Sequence, residues 1–279
     1  MPLPQFKYGL LPPKRAPALQ FKSILKAVPD HPLTEDYLKE LTDWRMLGND
    51  QHSNCAAVFW ANMRRMMSAL LGDKEYYPTQ EQVYALYKTQ NPDFPEQDDG
   101  MDLQTMFEYL HHSGGPDGVK LLAFAEVDTS NRNEVDAALA IFGGLGMGIQ
   151  VQGANQIDFA NGVPWDYHPG QSIEGGHAVL GGGYYNQPQN DIRFITWAKE
   201  TGMTDAYWDN LVNCPQGQCW ICIWPENIGT KQFIQGIDMD ALRTDYEVLT
   251  NRPFPAVAPS DNPGCSAWLA MLLKNGMKA

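Results

Sequence analysis

Apolar residues at helical spacing follow a polar, turn-forming run early in the chain. The run covers residues 47–54 and ends at Cys55. Ser53 or Asn54 can cap a helix, and Gly72 lies where a glycine commonly ends one. The pattern therefore predicts a helix with Cys55 in its first turn. Its apolar positions are Val58, Phe59, Met63, Met66, Met67 and Leu70.

Apolar stripes and capping residues predict further helices along the chain. Thr79 and Gln82 have the spacing of a capping box. Shorter helical segments are expected near both ends, and residues 203–208 resemble a capped helical turn. The predicted helices cover residues 21–27, 79–87, 101–112, 133–141, 238–250 and 267–274.

Alternating or continuous apolar runs predict strands in the middle of the chain. They cover residues 119–127, 147–151, 177–184, 192–197 and 219–224, with a turn at 186–190. The glycine-rich run 143–148 is not a nucleotide loop, because it follows a helix and precedes a strand. We expect these glycines to let the backbone pass close beneath a site. Residues 154–170 are expected to form a long loop at the rim of a substrate cleft.

Composition is typical of a globular protein, with 43% hydrophobic and 19% charged residues. The net charge of −13 argues against binding to nucleic acid or to anionic membranes, both of which require basic surface. The N-terminus lacks the apolar core of a secretory signal. The longest apolar run, residues 137–149, is too short to span a bilayer.

The five cysteines are an odd number and do not indicate a secreted disulfide framework. Cys214, Cys219 and Cys222 have a C-x4-C-x2-C spacing, but no fourth ligand lies nearby in sequence. We favour reduced, packed thiols over a metal or redox site, and we expect no cofactor.

Cys55 has two interpretations on local grounds alone. A thiol at a helix N-terminus is converted more easily to thiolate, and the free N–H groups there can hold an oxyanion. A buried cysteine can equally fill a gap in the core.

The order of the reactive residues resembles that of papain-like cysteine peptidases. A cysteine on an early helix is followed by His177 on a late strand and by Trp197 at the end of the next strand. In that superfamily the cysteine attacks, the histidine moves the proton, and a residue beside the tryptophan orients the histidine.

Four motifs resemble more closely a papain-like group found in bacterial and phage genomes. The group shows Gly-Asn-Asp-x-x-Gly-Asp-Cys, Asp-x-Gly, Phe-Gly-Gly and Glu-Gly-Gly-His-Ala-Val. In this chain the corresponding residues are 48–55, 98–100, 142–144 and 174–179, although His52 and Asn54 replace the group's Gly and Asp.

The resemblance implies an α+β fold and a set of site residues. A helical lobe (about 44–118) carries the cysteine and packs against an antiparallel β lobe (about 119–225) that carries the histidine. Residues 1–43 would form an N-terminal arm and residues 226–279 a C-terminal helical extension. The implied catalytic residues are Cys55, His177, Asn49 as an oxyanion donor, and Thr196. The implied substrate-binding residues are Trp165, Glu174 and Trp197.

One position departs from the superfamily pattern. Asn-Ser-Trp is replaced by Ile195-Thr196-Trp197, so only the Thr196 hydroxyl could orient the imidazole locally. Glu174, Asp158 and Glu200 are alternatives that spacing does not separate.

Two functions are therefore open. One is a cysteine peptidase or amidase that forms an acyl-enzyme on peptide or amide substrates. The other is an inactive papain-fold structural or binding protein, such as a phage virion or accessory component. The arm looks short for an inhibitory propeptide, and we expect it to be a strap on the outside of the fold or a contact to a partner or oligomer. The expected location is the cytoplasm, or the virion for a phage protein.

Overall fold

An antiparallel sheet built mainly from the second half of the chain positions the other elements. The computed structural model describes residues 6–26, 32–39, 41–72, 75–185 and 191–255. In this part of the chain the sheet order is β1-β3-β8-β4-β5-β6-β7, with β2 paired to β5, and only β1 and β3 run parallel. The strands are β1 (Leu19–Gln20), β2 (Thr34–Asp36), β3 (Ala123–Glu126), β4 (Leu145–Gln152), β5 (Ile173–Tyr185), β6 (Asp191–Thr196), β7 (Lys199–Met203) and β8 (Gln218–Ile223).

Helices cover both faces of this sheet and create two hydrophobic cores. One core joins α2, α3 and α4 to the face that contains Ala178 and Leu180. The other joins α1, α5, α8 and α9 to the face that contains Met147 and Val179. The helices are α1 (Phe21–Ile24), α2 (Cys55–Leu70), α3 (Gln80–Tyr87), α4 (Leu103–His112), α5 (Arg132–Phe142), α6 (Gly153–Asn161), α7 (Asp205–Tyr207), α8 (Lys231–Gly236) and α9 (Met239–Thr250).

This arrangement confirms the predicted α+β fold, with the cysteine on a helix and the histidine on an antiparallel sheet. Helix α2 approaches the sheet closely because β4 presents glycine toward it. A Cβ on Gly146 would lie 2.7 Å from Phe59 Cζ, so a larger residue would push the helix away. Met147, the next residue along β4, points into the opposite core.

The predicted loop over residues 154–170 is wrong in its first half, where α6 forms. The helix is stabilised because Asn155 Oδ1 accepts the Gln152 amide at 2.9 Å and Gly162 ends the helix in the left-handed conformation. Strand β7 was also missed, because its charged and glycine-containing sequence lacks an apolar alternation. The strand predicted at 119–127 is shorter, spanning Ala123–Glu126.

Both ends of the described chain are integrated into the fold. Strands β1 and β2 pair with β3 and β5, so these two parts of the N-terminal region belong to the sheet. The backbone of Lys26 donates to Gly236 at 2.7 Å, and that of Asp238 donates to Ile24 at 2.9 Å, which joins the N-terminal segment to α8 and α9. The predicted turn at 186–190, the helix at 267–274 and Cys265 lie outside the described residues.

None of the helices in the described ranges combines the length and apolar character needed to cross a bilayer.

Candidate active site

Cys55 is the first residue of α2 and its side chain is fully buried. The expected side-chain cap is absent, because Asn54 turns back and donates from Nδ2 to the Leu47 carbonyl at 3.0 Å. The amide groups of the first helical turn are therefore not used by a side-chain cap, and they carry the positive end of the helix dipole.

Asp98 holds the loop that leads into α2. Its Oδ1 accepts hydrogen bonds from the Ser53 amide (2.9 Å) and from the Tyr87 hydroxyl (2.7 Å). Its other oxygen lies 3.4 Å from His52 Nδ1. One carboxylate therefore fixes the turn beside Cys55 and ties it to α3.

The fold brings Cys55 and the histidine strand together. The Cys55 sulfur accepts a hydrogen bond from the amide of Ala178, the residue after His177, at 3.4 Å. The two elements are separated by more than a hundred residues in sequence, and only the packing of α2 on β5 makes them neighbours.

His177 has a hydroxyl partner on one ring nitrogen and none on the other. Its Nε2 lies 2.7 Å from Thr196 Oγ1. Within the described residues, Nδ1 is buried and has no hydrogen-bond partner. When Nε2 carries the proton and donates it to Thr196, Nδ1 keeps the free lone pair that a general base needs.

Trp197 lies over the imidazole, with ring centroids 4.9 Å apart and planes inclined by 30°. It is held there by a two-residue turn between β6 and β7, in which Trp197 and Ala198 have φ of 43° and 62°. Left-handed conformations are uncommon for residues other than glycine, so the turn holds local strain at the candidate site.

Of the residues that the sequence offered as partners for the imidazole, Thr196 is the one that contacts it. Glu200 binds Arg193 at 2.6 Å, and Asp158 contacts His168 at 2.8 Å. Glu174 accepts the Tyr8 hydroxyl at 3.3 Å. The carboxylates are engaged elsewhere, and Ile195 packs into the core beside α2.

Two other predicted site residues do not face an open cleft. Asn49 is buried, and its Nδ2 lies 3.3 Å from Asn54 Oδ1 and 3.4 Å from the His52 carbonyl, so its amide is directed into its own loop. Trp165 is fully buried beneath Trp197, which corrects its expected place at a substrate rim. It belongs to the core because its backbone pairs with β7.

Residues 6–11 lie across Cys55 and His177. They are the first described part of the predicted N-terminal arm, and from here on the arm means these six residues. Leu10 donates its amide to Gly176 on the histidine strand at 3.0 Å. On the other side, Met101 before α4 donates to the Gly9 carbonyl at 2.8 Å and accepts from Leu11 at 2.9 Å. The arm is thus hydrogen-bonded to both walls of the cleft, contrary to the expected strap on the outside.

Aromatic residues of the arm cover the histidine side. Phe6 stacks on Trp197 with centroids 4.3 Å apart, and Tyr8 meets the His177 ring edge-on at 6.1 Å. The Tyr8 hydroxyl contacts Gln156 and Glu174.

Gly9 lies directly at the cysteine. A Cβ at this position would lie 1.9 Å from the Ser53 carbonyl oxygen, so the close approach requires glycine. The backbone of Gly9 also acts to lower the pKa of the Cys55 thiol.

Burial makes the Cys55 thiol and the His177 imidazole neutral near pH 7. Desolvation raises the pKa of Cys55 to about 11, although hydrogen bonds from Ala178 and Gly9 oppose the rise. Desolvation likewise lowers the pKa of His177 to about 3. The structure holds a thiol and a neutral imidazole, not an ion pair.

Solved structures with this architecture are cysteine proteases. Xylellain, a cysteine protease from Xylella fastidiosa, superimposes with a TM-score of 0.61 at 16% identity, over 78% of this chain and 96% of that one. The Amb a 11 cysteine protease of ragweed pollen, in its proform, gives 0.56 at 15% identity, over 74% and 70%. Procathepsin B S9 from Trypanosoma congolense gives 0.52 at 11% identity, over 78% and 86%.

This chain has a papain-like fold. The predicted resemblance to the superfamily is confirmed at the level of the fold, whereas the resemblance to a bacterial and phage group stays a prediction. No protein-family model matches the sequence, and no curated protein matches it.

The three cysteines that cluster in the sequence of this chain are free thiols. Cys219 and Cys222 point into opposite cores from β8, and Cys214 lies in the loop before it. Among the described residues, no group of three or more His, Cys, Asp or Glu side chains could hold a metal ion.

Sequence reasoning predicted an N-terminal arm but missed the position of residues 6–11 across Cys55 and His177, although a signal was present. Phe6, Tyr8 and Leu10 alternate with other residues as in a strand, and all three contact the β lobe. The role of Asp98 was also missed, because its contacts come from two segments that are distant from it in sequence, residues 52–53 and Tyr87.

Proposed function

We propose that this protein is a cysteine hydrolase that cleaves peptide or amide bonds, and that the arm holds it in a closed state. The proposal is carried by one observation. Cys55 at a helix N-terminus contacts the amide that follows His177, while Thr196 and Trp197 fix that histidine from the other side.

The proposed chemistry is acyl transfer. With the arm displaced and water admitted, His177 Nδ1 takes the proton of Cys55, and the thiolate attacks the substrate carbonyl carbon. The imidazolium then protonates the leaving amine, and a water molecule activated by His177 hydrolyses the thioester.

We assign the developing oxyanion to backbone amides in the first turn of α2. These groups lie beside the sulfur and are not used by a side-chain cap. Asn49 was the expected donor, but both contacts of its Nδ2 are within its own loop.

A papain-fold binding or structural protein without turnover is the second candidate. The filled cleft, the neutral thiol and the isoleucine in place of the superfamily asparagine favour it. The two candidates differ in what Cys55 does when the arm is removed from the cleft.

Labelling with a peptidyl epoxide, which reacts with activated cysteines, separates the candidates. Leu10→Asp should expel the arm, because Leu10 is only 7% exposed and an unpaired carboxylate is costly to bury. Leu11→Asp is the matched control, since Leu11 is 38% exposed.

We expect the epoxide to modify Cys55 at least tenfold faster in Leu10→Asp than in the wild type or Leu11→Asp. Adding His177→Gln to Leu10→Asp should abolish this labelling. Peptide mapping identifies the modified residue. If iodoacetamide reached Cys55 in Leu10→Asp but the epoxide reacted no faster than with a free thiol, the binding function would replace the hydrolase.

A further inference from the structure

The pocket that Leu10 fills is bounded by β4 and β8. A Cβ placed on Gly148 would lie 2.6 Å from Leu10 Cδ2, so the leucine side chain rests directly on the strand. The same point is 3.4 Å from Gln218 Nε2. Gly148 and Gln218 are register partners in neighbouring strands, so both belong to one wall of the pocket.

Gln218 brings a buried donor group to this wall. The residue is 1% exposed, and its Nε2 has no hydrogen-bond partner within the described residues. The orientation of the amide is fixed, because Oε1 accepts the Trp220 indole N–H at 3.1 Å and only an oxygen can do so.

An unsatisfied buried amide is uncommon in a folded protein, and it is costly to leave one unpaired. Leucine cannot relieve it, because its side chain offers no acceptor. The arm therefore fills the volume of this pocket without matching its polarity.

We propose that the Leu10 pocket is a recognition site for an uncharged peptide side chain with a carbonyl acceptor, that is, glutamine or asparagine. This inference deepens the proposed function and rests on it for the peptide nature of the ligand. A carboxylate would also accept, but it would be buried without a cation, and lysine and arginine have no acceptor.

The arm itself provides the test, because position 10 can be varied in the full chain. Leu10→Gln supplies a carbonyl oxygen, and Leu10→Met is a control of the same length without a strong acceptor. Iodoacetamide reaches Cys55 only when the arm leaves, so its rate of reaction with Cys55 reports how tightly position 10 is held.

We expect Cys55 to react about fivefold more slowly in Leu10→Gln than in Leu10→Met, as one added hydrogen bond predicts. In a Gln218→Leu background the order should reverse. Equal rates, or faster reaction of Leu10→Gln in both backgrounds, would overturn the proposal.

A peptide added in trans gives a second measurement that does not depend on these variants folding. Phe-Lys-Tyr-Gly-Gln-Leu should protect Cys55 of Leu10→Asp at lower concentration than Phe-Lys-Tyr-Gly-Met-Leu. Equal protection, or none from either peptide, would count against the pocket. Neither experiment measures turnover, so the pocket can be confirmed even where the hydrolase is not.

Discussion

At the scale of single residues, the candidate site depends on Thr196. Ile195 stands at the position of the superfamily's asparagine and cannot accept the imidazole N–H, so the next residue has to do so. Thr196 Oγ1 is 2.7 Å from His177 Nε2, and both residues are buried. A hydroxyl can accept the imidazole N–H, but it rotates and can also donate, so it orients the ring less firmly than the carbonyl oxygen of an asparagine, which only accepts. The proposed hydrolase should therefore be a slow one.

Replacing Thr196 with valine tests this contact. Thr196→Val leaves the imidazole nitrogen buried without a partner, which should lower the free energy of unfolding by about 1–3 kcal/mol. Thr196→Ser keeps the hydroxyl and should stay within about 1 kcal/mol of the wild type. Urea denaturation measures both. A valine variant as stable as the serine variant would show that the contact contributes little.

The buried imidazole also predicts how stability depends on pH. Burial lowers the pKa of His177 from the ordinary value of 6.5 to about 3, so the unfolded chain binds a proton that the folded chain excludes in this range. The stability that comes from the neutral ring is present above pH 6.5 and is lost as the pH falls toward 3.

We therefore expect the wild type to lose more stability between pH 7 and pH 4 than His177→Gln, which has no titrating side chain there. Denaturant midpoints at several pH values provide the comparison. Parallel pH curves for the two proteins would mean that the folded chain protonates His177 readily.

At the scale of elements, two short connections aim the reactive residues. The turn between β6 and β7 positions Trp197 with strained backbone angles, and the loop before α2 is fixed by Asp98. The turn between β6 and β7 is Trp-Ala, not the Asn-Gly that two-residue hairpin turns favour.

Relieving the strain next to Trp197 should stabilise the fold. Ala198 has a φ of 62°, which glycine adopts without a steric penalty. We expect Ala198→Gly to raise the free energy of unfolding by about 0.5–1 kcal/mol and Ala198→Val to lower it. Thermal unfolding measures both variants, and a destabilised glycine variant would contradict the strain.

The Asp98 carboxylate should matter more than its exposed neighbour. Asp98→Ala removes the acceptor of the Ser53 amide and of the Tyr87 hydroxyl, and should cost about 1–3 kcal/mol. Asp99→Ala is the control, since Asp99 is exposed and accepts from the Gln97 side chain. Similar losses from both variants would remove Asp98 from its assigned role.

Sequence patterns predicted the elements well where apolar spacing is regular. The helix that begins at Cys55 and the histidine strand were both expected, because each carries a long apolar run with clear end signals. Helix α6 was missed, because polar side chains cap it and its apolar positions are few. The left-handed Trp197 was also beyond sequence reasoning, because tryptophan rarely adopts a positive φ.

At the scale of the whole molecule, the candidate site forms where two cores meet, and residues 6–11 lie across it. Motif order predicted that Cys55 and His177 would share a site. It did not predict that residues 6–11 would lie across them, because the hydrogen bonds of Leu10 to Gly176 and of Leu11 to Met101 depend on the distance between the two walls.

The chain that follows the arm is fastened to α4 and to β3. Lys14 donates to Thr105 at 2.6 Å, and Arg15 pairs with Glu126 at 2.9 Å, so the chain beyond the arm is fastened to both lobes. Displacement of residues 6–11 alone would admit water to Cys55 and His177 and allow them to ionise.

Turnover is the most direct test of the central claim that Cys55 and His177 form a hydrolytic pair closed by the arm. The measurement is hydrolysis of a pool of fluorogenic peptide amides by Leu10→Asp, by Leu11→Asp and by Leu10→Asp combined with Cys55→Ser. We predict hydrolysis by Leu10→Asp, at most a tenth of that rate for Leu11→Asp, and none when Cys55 is serine. A folded Leu10→Asp protein whose Cys55 reacts readily with iodoacetamide, but which releases no product from any amide in the pool, would contradict it.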